Sequence, residues 1–306
     1  MKVLVFGGAG FLGSYVVDEL IASGHSVTVF DLHPSPYPNG AATMIVGDIM
    51  DATAVVSAAA GQDAVYNFAG LADLNDSIDK PVETVTLNVM GNLNVLEACR
   101  QARVKRFLYA SSIYVFSQKG AFYGVSKKSS ELIVEQYGAQ YDLDYTIVRY
   151  GSVYGERGDR NNRIYRILRQ ALTERKITFP GDGSEEREYI HGRDAGKLSV
   201  QVLEDQTYVR QNVILTGVER FKYSDLLSLV REMMNNGIEI EMLDQNYEGH
   251  YVLTPYSFSP TIGVKLVNNP GIDFGQGLLE CMNNVYHELQ EEGLVDAPPV
   301  PERFSE

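Results

Sequence analysis

The stretch Gly7-Gly8-Ala9-Gly10-Phe11-Leu12-Gly13 decides the fold of this chain. It follows Lys2–Phe6, a short run of apolar and β-branched residues that predicts a buried strand. Ser14–Ser23 comes next with the apolar spacing of a helix, and Ser26–Phe30 has the pattern of a second strand. Strand, glycine-rich turn, helix and strand in this order predict the start of a doubly wound parallel α/β sheet.

The glycines of this stretch predict a site for the pyrophosphate of a dinucleotide. Residues without side chains let the backbone turn tightly and approach the phosphates, which then face the N-terminus of the following helix. The alternative is a glycine-rich turn with a structural role alone. The cofactor contacts expected here come from Gly7, Gly10, Phe11, Leu12 and Gly13.

Asp31 ends the second predicted strand. Its separation from the glycines is close to the roughly 20 residues at which an acidic residue binds the adenosine ribose. A carboxylate there accepts hydrogen bonds from both ribose hydroxyls and repels a 2′-phosphate. The sequence therefore predicts NAD as the cofactor in preference to NADP.

Three further strands are predicted along the first half of the chain. They are Ala42–Val46, Ala64–Phe68 and Arg106–Ala110, each short and rich in apolar residues. Pro81–Arg103 has helical apolar spacing throughout and predicts one long helix. The small residues of Ala69-Gly70, after the fourth strand, would let the backbone pass close to the cofactor.

Asp48 has two interpretations. It follows the third strand within Gly47-Asp48-Ile49, where its carboxylate could contact the adenine. It could equally cap the helix that begins near Ala52, since aspartate is a favoured N-cap residue. The sequence alone supports capping at least as well as adenine contact.

Tyr123 and Lys127 stand four residues apart in Tyr123-Gly124-Val125-Ser126-Lys127. In a helix this spacing places both side chains on one face, where they can reach the same substrate. An ammonium close to a phenol lowers the phenol pKa, which would make Tyr123 a general base for an alcohol or sugar hydroxyl. The alternative is a pair of exposed residues on a solvated face.

Composition and charge narrow the class of protein. The formal charge of −14 argues against a nucleic-acid partner, since phosphate backbones bind basic surfaces. Cys99 and Cys281 are too few for a disulfide framework or a cysteine metal site, and the five histidines show no metal-ligand spacing. No signal peptide and no membrane-spanning run is recognised. We therefore expect a cytoplasmic protein without a metal, a membrane partner or a nucleic-acid partner.

Taken together, these motifs resemble the extended short-chain dehydrogenase/reductase superfamily, in its NAD-dependent nucleotide-sugar epimerase/dehydratase family. The resemblance runs in family order from residue 2 to about residue 200. The matching pieces, besides the glycine turn and Asp31, are Asp48-Ile49, Ala69-Gly70, Asn88 with Asn94–Ala98, Ser111-Ser112, Tyr123 with Lys127, Arg149–Gly155, and Arg187–His191 ahead of Asp194.

The resemblance implies a catalytic set of Ser112, Tyr123 and Lys127. Tyr123 would take a proton from a sugar hydroxyl while hydride moves from the sugar carbon to the nicotinamide, and Ser112 would hydrogen-bond that hydroxyl. Lys127 would also hold the nicotinamide ribose. These roles orient the substrate against the cofactor, which carries the redox chemistry itself.

The resemblance also assigns the remaining contacts of cofactor and substrate. The implied cofactor contacts are Asp48, Ile49, Phe68, Ala69, Gly70, Asn88, Tyr123, Lys127, Tyr150 and Val153. The implied substrate contacts are Ser111, Ser112, Tyr123, Ser152, Asn162 and Arg187. Ser152 stands where many relatives carry an asparagine, and Arg187 matches an arginine that contacts the phosphates.

Two residues exclude some reactions of this family. Dehydratases carry an Asp-Glu pair directly after the catalytic hydroxyl residue, where this chain has Ile113 and Tyr114. Isoleucine cannot transfer a proton, so dehydration is not expected. The glutamate used by related decarboxylases in this region is absent too. Oxidation and reduction at one carbon remain.

The chain is expected to divide into two parts. Residues 1–155 would form the NAD-binding Rossmann domain, and residues 156–306 would form mainly a smaller substrate-binding lobe with segments returning to the first domain. In the second part, helices are predicted at Ile164–Arg175 and Gln276–Leu289, and a turn at Phe179–Gly183. His191 is expected to be a structural hydrogen-bonding residue.

The first interpretation of function is a nucleotide-sugar epimerase that oxidises sugar carbon 4 and returns hydride to the other face of a keto intermediate. The alternatives are a nucleotide-sugar 4-dehydrogenase or reductase and, less well supported, an idle NAD-binding protein on this fold. The resemblance implies a homodimer through the helices Val82–Arg103 and Tyr123–Tyr141. The sugar and its nucleotide base are not indicated by the sequence.

Overall fold

The computed structural model describes residues 1–37, 39–117, 119–243, 264–268 and 271–295. The sequence predicts loops at His250-Tyr251 and Thr254–Tyr256 that either line a sugar pocket or have a packing role, and it predicts a mobile tail at Asp296–Glu306. These segments lie outside the described ranges. Within the described ranges, no helix has both the length and the apolar character required to cross a membrane.

Strands and helices follow one another through the first half of the chain. The strands are β1 (Lys2–Phe6), β2 (Ser26–Asp31), β3 (Thr43–Val46), β4 (Ala64–Asn67), β5 (Arg106–Ser112) and β6 (Tyr145–Tyr150). The helices are α1 (Phe11–Ala22), α2 (Ala52–Ala59), α3 (Leu74–Asp79), α4 (Pro81–Val85), a π-helical segment (Thr86–Gly91), α5 (Asn92–Ala102), a 3₁₀ turn (Ile113–Phe116) and α6 (Ala121–Tyr141).

The second half of the chain adds shorter strands and four helices to the described structure. The strands are β7 (Ser152–Tyr154), β8 (Lys176–Pro180), β9 (Glu186–His191), β10 (Gln211–Leu215), β11 (Arg220–Lys222), β12 (Glu239–Leu243) and β13 (Val264–Leu266). The helices are α7 (Arg163–Glu174), α8 (Gly192–Glu204), a 3₁₀ turn (Gln206–Tyr208), α9 (Tyr223–Met233) and α10 (Phe274–Glu291).

Eight strands form one parallel sheet in the order β13-β10-β6-β5-β4-β1-β2-β3. Strand β1 lies between β2 and β4, so the chain moves outward in one direction through β2 and β3 and in the other through β4, β5 and β6. The strand order reverses at this point, and ligands bind outside the carboxyl ends of the strands at such a reversal. The carboxyl ends of β1 and β4 therefore mark the expected cofactor site.

Both faces of this sheet are covered by helices, which confirms the doubly wound arrangement. On one face α1 and α8 pack with buried residues such as Val16, Leu20 and Leu198. On the other face α2, α5 and α6 contribute residues such as Leu96 and Val134. Because both faces are buried, the strands are apolar along their length rather than alternating.

A separate core lies in the second half of the chain. Helices α7, α9 and α10 and strands β8 and β12 bury residues such as Leu168, Phe179, Leu226 and Met282 together. β8 pairs with β12, and β9 pairs with both β7 and β11 in a small sheet. Strands β10 and β13 instead join the large sheet beside β6.

Two predicted elements differ in the structure. The helix predicted over Pro81–Arg103 is divided into α4, the π-helical segment and α5, because residues Thr86–Gly91 follow the wider π-helical path. Pattern analysis assumes a regular helical period and cannot detect this change. The turn predicted at Phe179–Gly183 begins later, because Phe179 and Pro180 belong to β8. There they pair with Met242 and Leu243 of β12.

The N-terminus of α2 is capped by Asp51 and not by Asp48. Oδ1 of Asp51 accepts hydrogen bonds from the backbone N–H groups of Thr53 at 3.0 Å and Ala54 at 3.1 Å. Oδ1 of Asp48 accepts from Met50 N at 2.8 Å and closes the preceding turn. The capping interpretation of Asp48 is therefore wrong, because α2 begins at Ala52 and the Asp48 carboxylate binds Met50, before the helix.

The change Asp51→Ala is expected to lower the free energy of unfolding by about 1 kcal/mol, the usual loss for an N-cap. Asp48→Ala is the matched control and should cost less, since Asp48 closes an exposed turn. The chain has no tryptophan, so chemical denaturation is followed by circular dichroism. A larger loss in Asp48→Ala than in Asp51→Ala would contradict the assignment of the cap.

Candidate active site

The glycine-rich turn joins β1 to α1 where the carboxyl ends of β1 and β4 lie side by side. Gly7 has φ of +75°, and a Cβ atom on it would lie 2.5 Å from the backbone nitrogen of Ala69. A Cβ on Gly13 would lie 2.2 Å from the carbonyl oxygen of Gly7. Neither position can hold a side chain, because backbone atoms already occupy that space.

The N-terminus of α1 opens from this turn. Gly10 precedes the helix and supplies no side-chain cap, so no side chain competes for the first backbone N–H groups. The helix begins with Phe11, whose ring packs edge-on against Tyr15 with centroids 5.8 Å apart, and Leu12 packs against the core. A helix N-terminus without a side-chain cap, beside a glycine-rich turn, fits a pyrophosphate.

Asp31 lies against the same turn, as the sequence predicts for a ribose-binding acid. It ends β2, and its Oδ2 atom accepts a hydrogen bond from Ala9 N at 3.0 Å. Its Oδ1 atom accepts from Leu32 N at 2.7 Å. A carboxylate held at the end of β2 beside the glycine turn fits the adenosine ribose of a dinucleotide. Together with the turn, it gives this chain the parts that a bound NAD would require.

The loop after β4 faces the turn and is held by Asn88. The Oδ1 atom of Asn88 accepts from Leu71 N at 2.7 Å, and its Nδ2 atom donates to Leu71 O and to Ser126 Oγ, both at 2.9 Å. A Cβ on Gly70 would lie 2.4 Å from that same Oδ1 atom. Asn88 therefore ties the loop of Ala69 and Gly70 to α6, with both of its amide hydrogens engaged by protein atoms.

Four other expected cofactor contacts lie around this region. Ile49 is buried in the core under the sheet, while Asp48 beside it is exposed. Phe68 is partly buried, with its ring centroid 6.0 Å from that of Tyr150 at the end of β6. The Tyr150 hydroxyl shares a hydrogen bond of 2.6 Å with Ser199 Oγ, so it faces α8.

Ser112, Tyr123 and Lys127 come together at the carboxyl end of β5. Ser112 is the last residue of β5, and the other two lie one turn apart at the start of α6. The Lys127 ammonium donates to the carbonyl of Ala110 at 2.9 Å and lies 5.8 Å from the ring centroid of Tyr123. Ser112 Oγ accepts from Tyr114 N at 3.3 Å, and the Ser112 hydroxyl lies near enough to the Tyr123 phenol to lower the pKa of that phenol. The structure thus unites the three residues that the sequence predicts to be catalytic.

The pKa of Tyr123 differs from the sequence-based expectation. Burial raises the pKa of the Tyr123 phenol, and the hydrogen bond from Ser112 opposes this rise. Burial also lowers the pKa of Lys127 to about 8, while the charge of Glu131 opposes that fall. Desolvation disfavours the charged form of both groups, which a spacing argument from sequence does not include.

Ser111 does not face the substrate side with its hydroxyl, contrary to the expectation for this residue. Its Oγ atom donates to Oε1 of Glu131 at 2.6 Å, and all of Ser111, Glu131 and Arg149 are buried. Arg149 binds the same carboxylate through Nε at 2.8 Å and Nη2 at 2.9 Å. Sequence analysis missed Glu131, although its position one helical turn after Lys127 could have indicated it.

Two expected phosphate contacts lie in different surroundings. Asn162 caps α7: its Oδ1 atom accepts from Ile164 N at 3.0 Å and from Tyr165 N at 3.4 Å, and its Nδ2 atom donates to the carbonyl of Val153 at 3.1 Å. Arg187 is buried in β9, with its guanidinium carbon 5.4 Å from the ring centroid of Tyr223. The Asn162 amide thus holds the start of a helix.

Ser152 and Val153 belong to β7, which directly follows the turn at Gly151. Ser152 pairs with Tyr189 and Val153 with Ile190 in the parallel ladder between β7 and β9. Arg187 lies on the same strand β9, two residues before Tyr189. The three expected contacts Ser152, Val153 and Arg187 therefore share one small sheet beside the carboxyl end of β6.

Glu156, His191 and Glu280 form the one group with metal-ligand spacing in the described ranges. Arg193 Nη2 lies 3.2 Å from a Glu156 oxygen and 2.9 Å from a Glu280 oxygen, so both carboxylates already pair with a cation. Nδ1 of His191 accepts from Arg193 N at 3.3 Å and caps α8. This cluster therefore acts as an ion-pair junction, and His191 has the structural position that the sequence predicts.

A doubly wound sheet with a glycine turn, an acidic residue held at the end of β2 beside that turn, and a Ser-Tyr-Lys set is typical of dinucleotide-dependent enzymes. Comparison with known families agrees with this class. The chain belongs to the NAD dependent epimerase/dehydratase family, whose model matches residues 3–215. NAD is accordingly the cofactor of this enzyme.

Individual relatives are distant in sequence. An uncharacterised UDP-glucose epimerase of Bacillus subtilis is 25% identical over 272 residues, covering 80% of this chain and 86% of the relative. A putative UDP-glucose 4-epimerase of Methanocaldococcus jannaschii is 26% identical and covers 92% of this chain and 97% of its own. The solved structure of UDP-glucuronic acid 4-epimerase from Bacillus cereus, in complex with UDP-glucuronic acid and NAD, has a TM-score of 0.80 at 24% identity, covering 94% of this chain and 100% of its own.

Asp31→Ser is expected to weaken NAD binding by about tenfold or more, because charged hydrogen bonds to the ribose are lost. NADP binding should be weak in the parent and should improve in this variant, since a carboxylate no longer repels the 2′-phosphate. Titration of both cofactors measures this, with Asp51→Asn as a control that removes a nearby exposed charge and leaves a side chain able to cap α2. Equal affinity of the parent for NAD and NADP would refute the role of Asp31.

Proposed function

We propose that this enzyme is a nucleotide-sugar 4-epimerase. The observation that carries the proposal is the meeting of Ser112, Tyr123 and Lys127 at the carboxyl end of β5, beside the glycine turn. The names of the relatives support a UDP-sugar as the first substrate to test. Bound NAD supplies a hydride acceptor that can give the hydride back.

The residues of the chain perform the proton transfer and the orientation. Tyr123 takes the proton of the hydroxyl on sugar carbon 4, and the Ser112 hydroxyl fixes the position of that oxygen. The Lys127 ammonium offsets the negative charge that forms on the phenol. After the keto sugar rotates, the same phenol returns the proton to the oxygen of the inverted carbon. The glycine turn and Asp31 hold the cofactor during these steps.

Dehydration is not proposed, because Ile113 and Tyr114 stand where the family's dehydratases carry an Asp-Glu pair, and neither residue has a carboxyl group. Ile113 is 3% exposed and packs against Ile214, and Tyr114 places its ring edge-on to Tyr123 with centroids 6.3 Å apart. A 4-dehydrogenase or reductase remains the second candidate, because the same three residues serve a hydride transfer that is not reversed. Release of NADH during turnover would distinguish it from the epimerase.

We propose that the substrate lies between two parts of the chain, the NAD-binding residues 1–155 and the mainly substrate-binding residues 156–306. Strands β10 and β13 of the second part return to the large sheet. Arg187 is our candidate for the diphosphate, since a buried guanidinium supplies paired hydrogen-bond donors. Asn162 supports this region by capping α7, and Ser152 lies at the start of β7. A cytoplasmic location is part of the same proposal.

We also propose a homodimer through α4, the π-helical segment, α5 and α6. On α6, the exposed residues Phe122, Val125 and Leu132 lie along one face of the helix. Val82 on α4 is 78% exposed, and α4 packs beside α6. Exposed apolar side chains that cluster on neighbouring helices mark a protein–protein contact. A second copy of the chain would cover this surface.

Tyr123→Phe should keep NAD bound and lose turnover by about a hundred- to ten-thousand-fold, the usual effect of removing one general acid–base group. Tyr141→Phe is the matched control, because Tyr141 ends the same helix and is 55% exposed. Single-turnover NADH formation is measured with a panel of UDP-sugars. The mechanism is wrong if Tyr123→Phe reduces NAD as fast as the parent on the best sugar.

Val125→Glu should convert a dimer to a monomer, since it places a charge in the centre of the apolar surface. Leu294→Glu is the control, because Leu294 is also exposed but follows α10. Sedimentation velocity at micromolar concentration measures the state of the parent and both variants. A monomeric parent, or a dimer in Val125→Glu, would count against the proposed interface.

A further inference from the structure

A buried ion pair lies behind the catalytic residues and takes no part in the proton transfer described above. Glu131 is 1% exposed and Arg149 is 3% exposed. They meet through two hydrogen bonds, with Ser111 adding a third to the same carboxylate. The ammonium of Lys128, about half exposed, also lies 3.6 Å from Oε2 of this carboxylate. A fully desolvated pair of this kind gives little net stability, so another role has to be considered.

The position of Glu131 links three secondary-structure elements. The carboxylate is on α6, Ser111 is near the end of β5, and Arg149 is on β6. Ser111 stands between Ala110, whose carbonyl accepts from Lys127, and Ser112. The hydrogen bond that Ser111 donates to Glu131 therefore fixes the position of α6 relative to the end of β5. The neighbours of Ser111 on β5 are Ala110, which accepts from Lys127, and Ser112, our candidate for binding the sugar hydroxyl.

Glu131 also lies one helical turn after Lys127, on the same face of α6. The titratable and charged groups that the described residues bring to Lys127 are the phenols of Tyr109 on β5 and Tyr123 on α6, the Glu131 carboxylate and, bound to that carboxylate, Arg149. Glu131 is the only anion in this set. Lys127 is 6% exposed, so burial disfavours its charged form, and the Glu131 anion opposes that effect.

We propose that Glu131 is a positioning residue of the active site, which keeps the Lys127 ammonium charged and sets α6 against β5. Arg149 and Ser111 hold its carboxylate in place. The proposal rests on the proposed function for its kinetic consequences, since those consequences concern the role of Lys127. Its effect on the charge of Lys127 is independent of the reaction.

The direct test measures the titration of Lys127 without turnover. Lysine side chains are labelled with ¹³C at Cε and titrated by NMR, and Lys127→Arg assigns the signal. Burial lowers the pKa of Lys127 to about 8 in the parent. In Glu131→Gln we expect this pKa to fall by a further unit or so, the usual effect of losing a close opposite charge.

The control is Glu135→Gln, which removes the same charge one turn further along α6. Glu135 is partly buried on the same helix. The Lys127 pKa should remain at its parent value in this variant. An unchanged Lys127 pKa in Glu131→Gln, or an equal fall in Glu135→Gln, would overturn the proposal whether or not any sugar is turned over.

The kinetic test uses the holoenzyme and single-turnover NADH formation over a range of pH. Activity requires a charged Lys127, so it is present below the Lys127 pKa and is lost as the pH rises through it. Because Glu131→Gln lowers that pKa, the alkaline limb of the profile should move to lower pH by about one unit. A profile that superimposes on that of the parent would contradict the proposal.

Two further variants cover the case in which Glu131→Gln does not fold. Glu131→Gln/Arg149→Met removes both charges and leaves no buried cation without a partner. This double variant should still lose activity at a lower pH than the parent. Ser111→Ala removes one hydrogen bond and should lower kcat several-fold with an unchanged KM for the sugar. A raised KM with an unchanged kcat would instead place Ser111 in contact with the substrate and overturn its role as an anchor of Glu131.

If no sugar reduces NAD in the parent, the proposed function fails, while the NMR titration still decides the role of Glu131. If the parent is active and the Lys127 titration ignores Glu131, the proposed function stands and this inference fails. The two outcomes are therefore separable.

Discussion

The close approach of Gly7 to the backbone of Ala69 is the constraint on which the site depends. It occurs where β1 and β4 lie side by side and the strand order reverses. With a side chain at Gly7 the loop after β4 would be displaced, and the glycine turn with it. Because the Asp31 carboxylate accepts a hydrogen bond from the backbone of Ala9 in that turn, the position of Asp31 depends on the same contact.

This constraint extends from the cofactor turn to the catalytic helix through hydrogen bonds. The loop that begins at Ala69 is held at Leu71 by Asn88, and Asn88 also donates to Ser126 on α6. Ser126 in turn lies between Tyr123 and Lys127, and its hydroxyl donates to the Tyr123 carbonyl at 2.9 Å. The turn that fits NAD and the residues that fit the sugar are thus parts of one connected network, and their relative positions are set by the fold.

Sequence analysis predicts the features of this network that follow from the order of motifs along the chain. It does not predict the features that arise from packing between elements distant in sequence. The glycine turn, the parallel strands and the set of Ser112, Tyr123 and Lys127 follow from local pattern and family resemblance. The π-helical path around Asn88 and the bond of Ser111 to Glu131 do not, because they arise where α6 meets β5 and other helices. The direction of the Tyr123 pKa was also missed, since spacing carries no information about desolvation.

The stability of the core alone does not explain the buried Glu131–Arg149 pair. An apolar pair of similar volume would often give equal or greater stability, because two buried charges lose hydration that their attraction only partly restores. Such a pair would leave Lys127 without a nearby anion. Desolvation would then favour the neutral amine, and a neutral amine cannot offset the charge on the Tyr123 phenol. On our proposal, the Glu131 position is therefore constrained by the charge that Lys127 has to carry, more than by the stability of the core.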